Sequence, residues 1–444
     1  MKLKLLLGLC VLLGAAWVRG ALPAGYYDEP AGLSYAETIQ QEKTEDGWKW
    51  TEFRYTSIVH NGEPMRIHAI YAVPVSAGKD AKVPLVVMTH GKFGQIMRID
   101  ERQPESSPSR WGDPRYWAAV KDLAKAGYAV MYFEWNPDPA IKAGPLPAGA
   151  PEPQYSTFGS LDFSKEWNQP GNEWRDGMFY QAMMAGRRAI SWAAARPEVD
   201  ATRIGATGAS YGGIFSSLLA AIDPRIKAVA PTVYATGFGA EERGYNSLSP
   251  KKFTAEQIAD WRSRFDSEVL LAERAVKLPI LYSVGTNDAA FTILKAARHY
   301  RALPEPKQIL MAPNQGHGFW NFAQTVRFFD RELQQKGTHP KLGDVKITGT
   351  AADGWRLSVE TDAPTVEFFY ALEPVPDMAV RADQRVKPET WKWVQLKGIA
   401  AVLKLSDEER MKTATVHVFA RAKDQSGTEA CSPLVRIAVT EATK

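Results

Sequence analysis

Gly208-Ala209-Ser210-Tyr211-Gly212 is a Gly-x-Ser-x-Gly pentapeptide set between a strand-like run and a helix-like run. Arg203–Thr207 leads in, and Ile214, Leu218 and Ile222 recur four apart on the way out. A serine on so sharp a turn takes a strained backbone conformation, and small neighbours such as Gly212 and Gly213 let strand and helix close around it. Its hydroxyl is then lifted to the carboxyl end of a sheet, with a helix N-terminus aimed at it. An anion forming beside Ser210 would be stabilised there. The pentapeptide alone arises often by chance, so its weight comes from its flanks and from the residue types downstream of it in the chain.

A serine hydroxyl is a weak nucleophile until a base removes its proton. A histidine can take that proton and return it to a leaving group, and a buried carboxylate can fix the imidazole tautomer. Both types occur downstream, in order. Residues 278–291, LPILYSVGTNDAAF, read as a buried strand ending in a polar loop that carries Asp288. Gln308–Met311 reads as the next strand, and the loop after it carries His317. Helical spacing of Phe322, Val326 and Phe329 comes next. Ser210, Asp288 and His317 are therefore the expected catalytic residues. Asp260, Asp266, Glu268 and Asp330 are rival acids in helix-like segments, where charge is usually solvated.

The chain has seven histidines, and only His90 and His317 lie in loops after apolar strands. His60, His68, His299, His339 and His417 read as ordinary surface or satisfied polar residues. His90 opens Thr89-His90-Gly91-Lys92-Phe93-Gly94 directly after the apolar run Val83–Met88. Backbone N–H groups in such a loop, with the one after the serine, can hold a developing oxyanion. Lys92 N–H and Tyr211 N–H are the expected donors, with His90 shaping the loop.

The chain has 444 residues, enough for two domains with separate cores. Residues 1–20 read as an export signal: Lys2 and Lys4, an apolar Leu5–Ala16, then Val18-Arg19-Gly20 before cleavage. The apolar stretch is too short for a permanent anchor. Leu9 before Cys10 speaks against lipid attachment. Removing the signal takes away Lys2, Lys4 and Arg19, and formal net charge falls from +4 to +1. Neither nucleic acid nor an anionic membrane is implied. Cys431 is then the lone cysteine, so no intrachain disulfide is expected. No metal or organic cofactor is expected either, because no ligand-spaced cluster of His, Cys, Asp and Glu stands out. Oligomeric state is left open.

Residues 21–46 read as an irregular leader and 48–73 as an antiparallel hairpin turning at Asn61-Gly62. From Val83 to about Lys336, strands alternate with helices: Val83–Met88, Ala129–Phe133, Arg203–Thr207, Ile226–Ala230, Ile280–Val284 and Gln308–Met311. This predicts an α/β fold with a doubly wound, mostly parallel sheet over residues 21–336. After a linker at 337–344, short alternating segments predict a small C-terminal β-sandwich domain over 345–444. Its expected role is to brace the catalytic domain, with polymer binding as the alternative. Long irregular inserts at 97–113, 134–173 and 236–262 read as lids or binding walls. Trp135, Trp174 and Phe238 are the expected substrate contacts.

The stretch Glu173-Trp174-Arg175-Asp176-Gly177, then Arg187-Arg188-Ala189-Ile190 and Arg196-Pro197-Glu198-Val199-Asp200, leads into RIGATGASYGG and Ala221-Ile222-Asp223-Pro224-Arg225. With GTNDAAF and the His317 loop, it resembles secreted bacterial α/β-hydrolases of the acetylxylan-esterase and prolyl-oligopeptidase-like group. The resemblance is densest over 173–320. It implies an α/β-hydrolase fold, a Ser210–Asp288–His317 triad, and backbone donors at Lys92 and Tyr211. Esterases and peptidases both occur in the group. The expected activity is a serine carboxylic-ester hydrolase, secreted or periplasmic, removing acetyl or aryl groups from a carbohydrate or other small ester. A serine exopeptidase is the alternative. The propeller typical of prolyl-oligopeptidase-type enzymes has no room between Ala21 and Val83.

Overall fold

A computed structural model describes residues 22–60, 62–91, 114–135, 175, 177–236, 254–274, 277–318, 321–375 and 387–439. The expected export signal lies outside the described residues. So do Lys92, Trp174, Phe238 and most of the three inserts.

Alternation of apolar and polar residues builds the first edge of the sheet. Strands β1 (Thr38–Glu45), β2 (Trp48–His60) and β3 (Glu63–Pro74) are antiparallel, and β2 turns into β3 with His60 opposite Glu63. β1 lies within the expected leader. Its sequence, TIQQEKTE, has no apolar alternation to read, because it is a largely solvated edge. The rest of the leader is strapped down. Tyr26 and Tyr27 are buried, and the Arg188 guanidinium stands 3.8 Å from the Tyr35 ring.

Near-continuous apolar runs form the centre, as strands buried on both faces do. β4 (Val83–Thr89), β5 (Ala129–Phe133), β6 (Val199–Ala209), β7 (Ile226–Thr232), β8 (Ile280–Gly285) and β9 (Lys307–Ala312) are parallel, in the spatial order β5-β4-β6-β7-β8-β9. Helices α1 (Pro114–Lys125) and α7 (Phe322–Gln334) cover one face, where Val120, Leu123, Phe329 and Leu333 join Val86 and Val130. The other face holds α2 (Met178–Ala194), α3 (Tyr211–Ile222), α4 (Ala255–Phe265), α5 (Ser267–Glu273) and α6 (Ile293–Ala302). There Met183, Ile190, Ile214 and Leu218 join Leu85, Val87 and Met131. Among the described residues no helix is long and apolar enough to cross a membrane.

The whole sheet is mixed rather than mostly parallel. The hairpin extends one edge, and strands from the C-terminal segment extend the other. Those strands are β10 (Lys346–Thr350), β11 (Gly354–Ser358), β12 (Thr365–Pro374), β13 (Val394–Lys397), β14 (Ala400–Leu403), β15 (Thr413–Lys423), β16 (Glu429–Cys431) and β17 (Val435–Ala438). β16 pairs with β9 through Cys431 opposite Ile309, so β16, β15, β12 and β13 continue the main sheet. β10, β11 and β14 form a second, three-stranded sheet. Trp355 and Leu357 from that sheet share an apolar cluster with Val366, Phe368, Val416 and Val418 of the first. A short helix, α8 (Asp407–Lys412), interrupts the strands, capped by Ser406 and Glu409.

Candidate active site

Ser210 lies between the end of β6 and the start of α3, at φ 60° and ψ −123°. Few non-glycine residues hold that conformation, and it persists where surrounding contacts over-determine it. Here they do. Ser210 N–H donates to Thr232 O at 2.9 Å, and Tyr116 Oη donates to Ala209 O at 3.1 Å. Thr89 Oγ1 donates to Gly212 O at 2.7 Å. A Cβ on Gly212 would stand 2.2 Å from Thr89 O, so only glycine lets α3 start this close to β4. Tyr211 is the first residue of α3, and its N–H follows the serine at the positive end of the helix.

Asp288 and His317 meet. His317 Nδ1 lies 2.8 Å from Asp288 Oδ2. A carboxylate can only accept, so Nδ1 carries the hydrogen and Nε2 keeps its lone pair for a proton. The other carboxylate oxygen accepts from Ala290 N–H at 2.7 Å and Phe291 N–H at 2.9 Å. The Asp288 side chain is fully buried while that of His317 is 37% exposed, so the acid stands inside and the base outside. The Phe291 ring stacks on the imidazole, with centroids 5.9 Å apart.

The His317 loop leaves β9, three strands from β6, or about 14 Å at normal strand spacing. It folds back across the end of β8. Asn287 N–H donates to Gln315 O at 2.9 Å, and a Cβ on Gly285 would be 2.4 Å from both Gln315 O and Gly316 O. Glycine at the end of β8 is what allows that crossing, which carries the imidazole toward the Ser210 side.

The rival acids are engaged elsewhere. Asp260 pairs with Arg264, Asp266 with Arg262, Glu268 with Arg298 and His299, and Asp330 accepts from Tyr128 Oη. His68 and His417 are buried against Glu52 and Glu373.

His90 is fully buried. Its Nε2 accepts from Trp135 N–H at 3.3 Å, so Nδ1 carries the hydrogen and donates to Gly91 O at 2.7 Å. Burial pulls its pKa down to about 4, and it stands neutral beside the loop it shapes. Trp135 is corrected by this geometry. It was expected to contact substrate, yet its side chain is fully buried. Its Nε1 donates to His90 O at 2.7 Å, and its ring stacks on His90 at 5.0 Å and on Tyr211 at 5.8 Å. It is a wedge under the elbow.

Sequence reasoning missed Asn287, Asn314, Gly285 and Tyr116 as residues holding the site. Asn287 and Gly285 do sit beside Asp288 in GTND, but their partners are remote in sequence.

Parallel strands in this order, a strained serine after β6, and an acid and histidine after β8 and β9 define an α/β-hydrolase fold. Two family models match parts of the chain. One is the S15 family, X-Pro dipeptidyl-peptidase, over residues 173–241, and the other is the PhoPQ-activated pathogenicity-related protein over residues 250–374. Solved structures similar to this one include an acetyl xylan esterase from Paenibacillus sp. R4, 19% identical, with a TM-score of 0.49 over 68% of this chain and 90% of that one. Acetyl xylan esterase 1 from Thermoanaerobacterium sp. JW/SL YS485 is 18% identical, with a TM-score of 0.45 over 70% and 95%. An S-formylglutathione hydrolase from Agrobacterium tumefaciens is 16% identical, with a TM-score of 0.43 over 67% and 98%. No curated protein matches the chain.

Proposed function

We propose that this protein is an exported serine hydrolase that cleaves carboxylic esters through an acyl-enzyme. The observation that supports it best is the Asp288–His317 hydrogen bond on the same sheet edge as the strained Ser210. In this reading His317 Nε2 takes the Ser210 proton as Oγ attacks the ester carbonyl. The N–H groups of Tyr211 and Lys92 receive the oxyanion, each donor of this kind supplying roughly 10²–10³ in rate. The alkoxide leaves with the proton from His317, and water deacylates the serine by the same route reversed. The chemistry asks for no cofactor.

The substrate in this reading is an acetyl or aryl ester of a carbohydrate. The export signal read at residues 1–20 would place the enzyme where polymer-derived esters occur. An alkoxide also needs less acid assistance to leave than an amine does. Residues 345–444 would form a small β-sandwich that braces the catalytic part. The S15-family match, which spans Ser210, favours a second reading as a serine exopeptidase.

A fluorophosphonate probe should label the protein at Ser210 and leave Ser210→Ala unlabelled. Labelling that persists in the variant would remove the serine assignment. kcat/KM on p-nitrophenyl acetate, acetylated xylo-oligosaccharides, feruloyl esters and dipeptidyl nitroanilides then separates the two readings. Efficient anilide cleavage with inert sugar esters would establish the peptidase.

A further inference from the structure

The loops that carry Asp288 and His317 are tied to the chain near residue 390. Asn287 Nδ2 donates to Glu389 O at 3.0 Å and to Trp391 O at 2.6 Å. Asn314 makes a reciprocal pair with Trp393, Nδ2 donating to Trp393 O at 3.0 Å and Oδ1 accepting from Trp393 N–H at 2.9 Å. Thr286 links the two asparagines, donating to Asn287 Oδ1 at 2.7 Å and accepting from Asn314 N–H at 2.8 Å. Asn287 N–H reaches Gln315 O at 2.9 Å.

The far side of this tie is packed into the apolar core. Trp391 and Trp393 are buried, at 5% and 3% exposure. Trp391 stacks on His417 of β15 at 4.3 Å, and His417 Nε2 lies 2.7 Å from Glu373 of β12. The Trp393 ring packs on Phe419 at 5.3 Å. A side chain next to the acid and another three residues before the histidine are thus clamped to one short backbone segment, the 3₁₀ turn Pro388–Thr390 and the residues just after it, itself anchored in the C-terminal sheet.

We infer that residues 389–393 are a positioning strut for the Asp288–His317 pair, with Asn287 and Asn314 as positioning residues that couple the C-terminal strands to the rate of the chemical step. The inference rests on the proposed roles of Asp288 and His317. Its physical basis is that a misplacement of about 1 Å in a catalytic group costs roughly 10²-fold in rate. Both asparagine side chains are taken up by the backbone of Glu389, Trp391 and Trp393, so the loss belongs in kcat.

The test uses the full-length protein, with active sites counted by fluorophosphonate titration, so that misfolded molecules drop out. Asn287→Ala and Asn314→Ala should each lower kcat per titrated site on p-nitrophenyl acetate by about 10–100-fold, with KM within roughly twofold. Asn287→Asp, which turns a carboxylate toward two carbonyl oxygens, should lose more than Asn287→Ala. Lys346→Ala, which removes an exposed ion pair with Glu360 on β10, is the control and should keep wild-type kcat. Unchanged kcat per titrated site in both alanine variants overturns the strut, as does a rise in KM alone. A merely structural role would lower the number of titratable sites and the melting temperature without changing kcat per site. Wild-type protein that resists the probe would instead refute the serine-hydrolase reading.

Discussion

Asp288 gives one carboxylate oxygen to His317 Nδ1 and the other to the N–H groups of Ala290 and Phe291. The carboxylate cannot rotate without breaking one set, so the imidazole orientation is fixed by the backbone two and three residues beyond the acid.

That bond makes Asp288→Asn a sharp test. An amide keeps the shape but presents a donor or a weaker acceptor to Nδ1, favouring the wrong tautomer. kcat should fall by about 10³–10⁴. His317→Ala should fall at least as far, and the double variant with Ser210→Ala should lose little more than either alone. Additive losses measured by steady-state kinetics would show that the residues act independently.

Two glycines should fail in different ways. Gly212→Ala sets a Cβ 2.2 Å from Thr89 O, a backbone atom inside the sheet. It should cost stability by about 1–3 kcal/mol or more, seen as a lower midpoint in urea. Gly285→Ala pushes on Gln315 O and Gly316 O, which belong to the loop before His317. There kcat should drop with a smaller change in midpoint. Equal loss of stability in both would mean that the His317 loop cannot yield.

Much of this arrangement is local and therefore readable. The six central strands fall within a few residues of their apolar runs, because burial on both faces leaves an uninterrupted signal. Ser210, Asp288 and His317 could be singled out because each comes just after such a run. The unread part is long-range. β16 is three residues long, and its pairing with β9 leaves no periodicity. The partners of Asn287 lie 102 and 104 residues away, at a short turn whose sequence carries no sign of the tie. Trp135 misled because an aromatic at the mouth of an insert looks like a binding face. Its burial depends on His90 and Tyr211, 45 residues before it and 76 after.

Cys431 should be inert in the native protein. Burial pushes its thiol up to about 12, and Met311 N–H lies 3.4 Å from Sγ. A thiolate is the reactive form, so a disulfide reagent at about pH 8 should not react until the protein is unfolded, when Cys431 becomes accessible. Rapid reaction of the native protein, located at Cys431 by peptide mapping, would contradict that burial.

The pH dependence of stability should carry the mark of His90. Its ordinary value of 6.5 is pulled down to about 4 by burial, and its Nε2 accepts from Trp135 N–H. Between those two values the unfolded chain binds a proton at His90 and the native state does not. The stabilising contribution is therefore fully present above about pH 6.5 and is lost as pH falls toward 4, where the native imidazole itself takes a proton. Across that window the loss is on the order of 3 kcal/mol. Protonating Nε2 would also turn an acceptor into a donor facing the Trp135 N–H, beneath the elbow. His339 is likewise pulled down to about 4, mainly by burial, so the wild-type slope combines both groups. His90→Gln isolates one of them, since its amide oxygen can replace Nε2 as acceptor without titrating. Urea midpoints measured from about pH 7 to about pH 4.5 should fall less steeply for His90→Gln than for wild type. Parallel slopes would show that His90 is protonated, or exposed, in the native state.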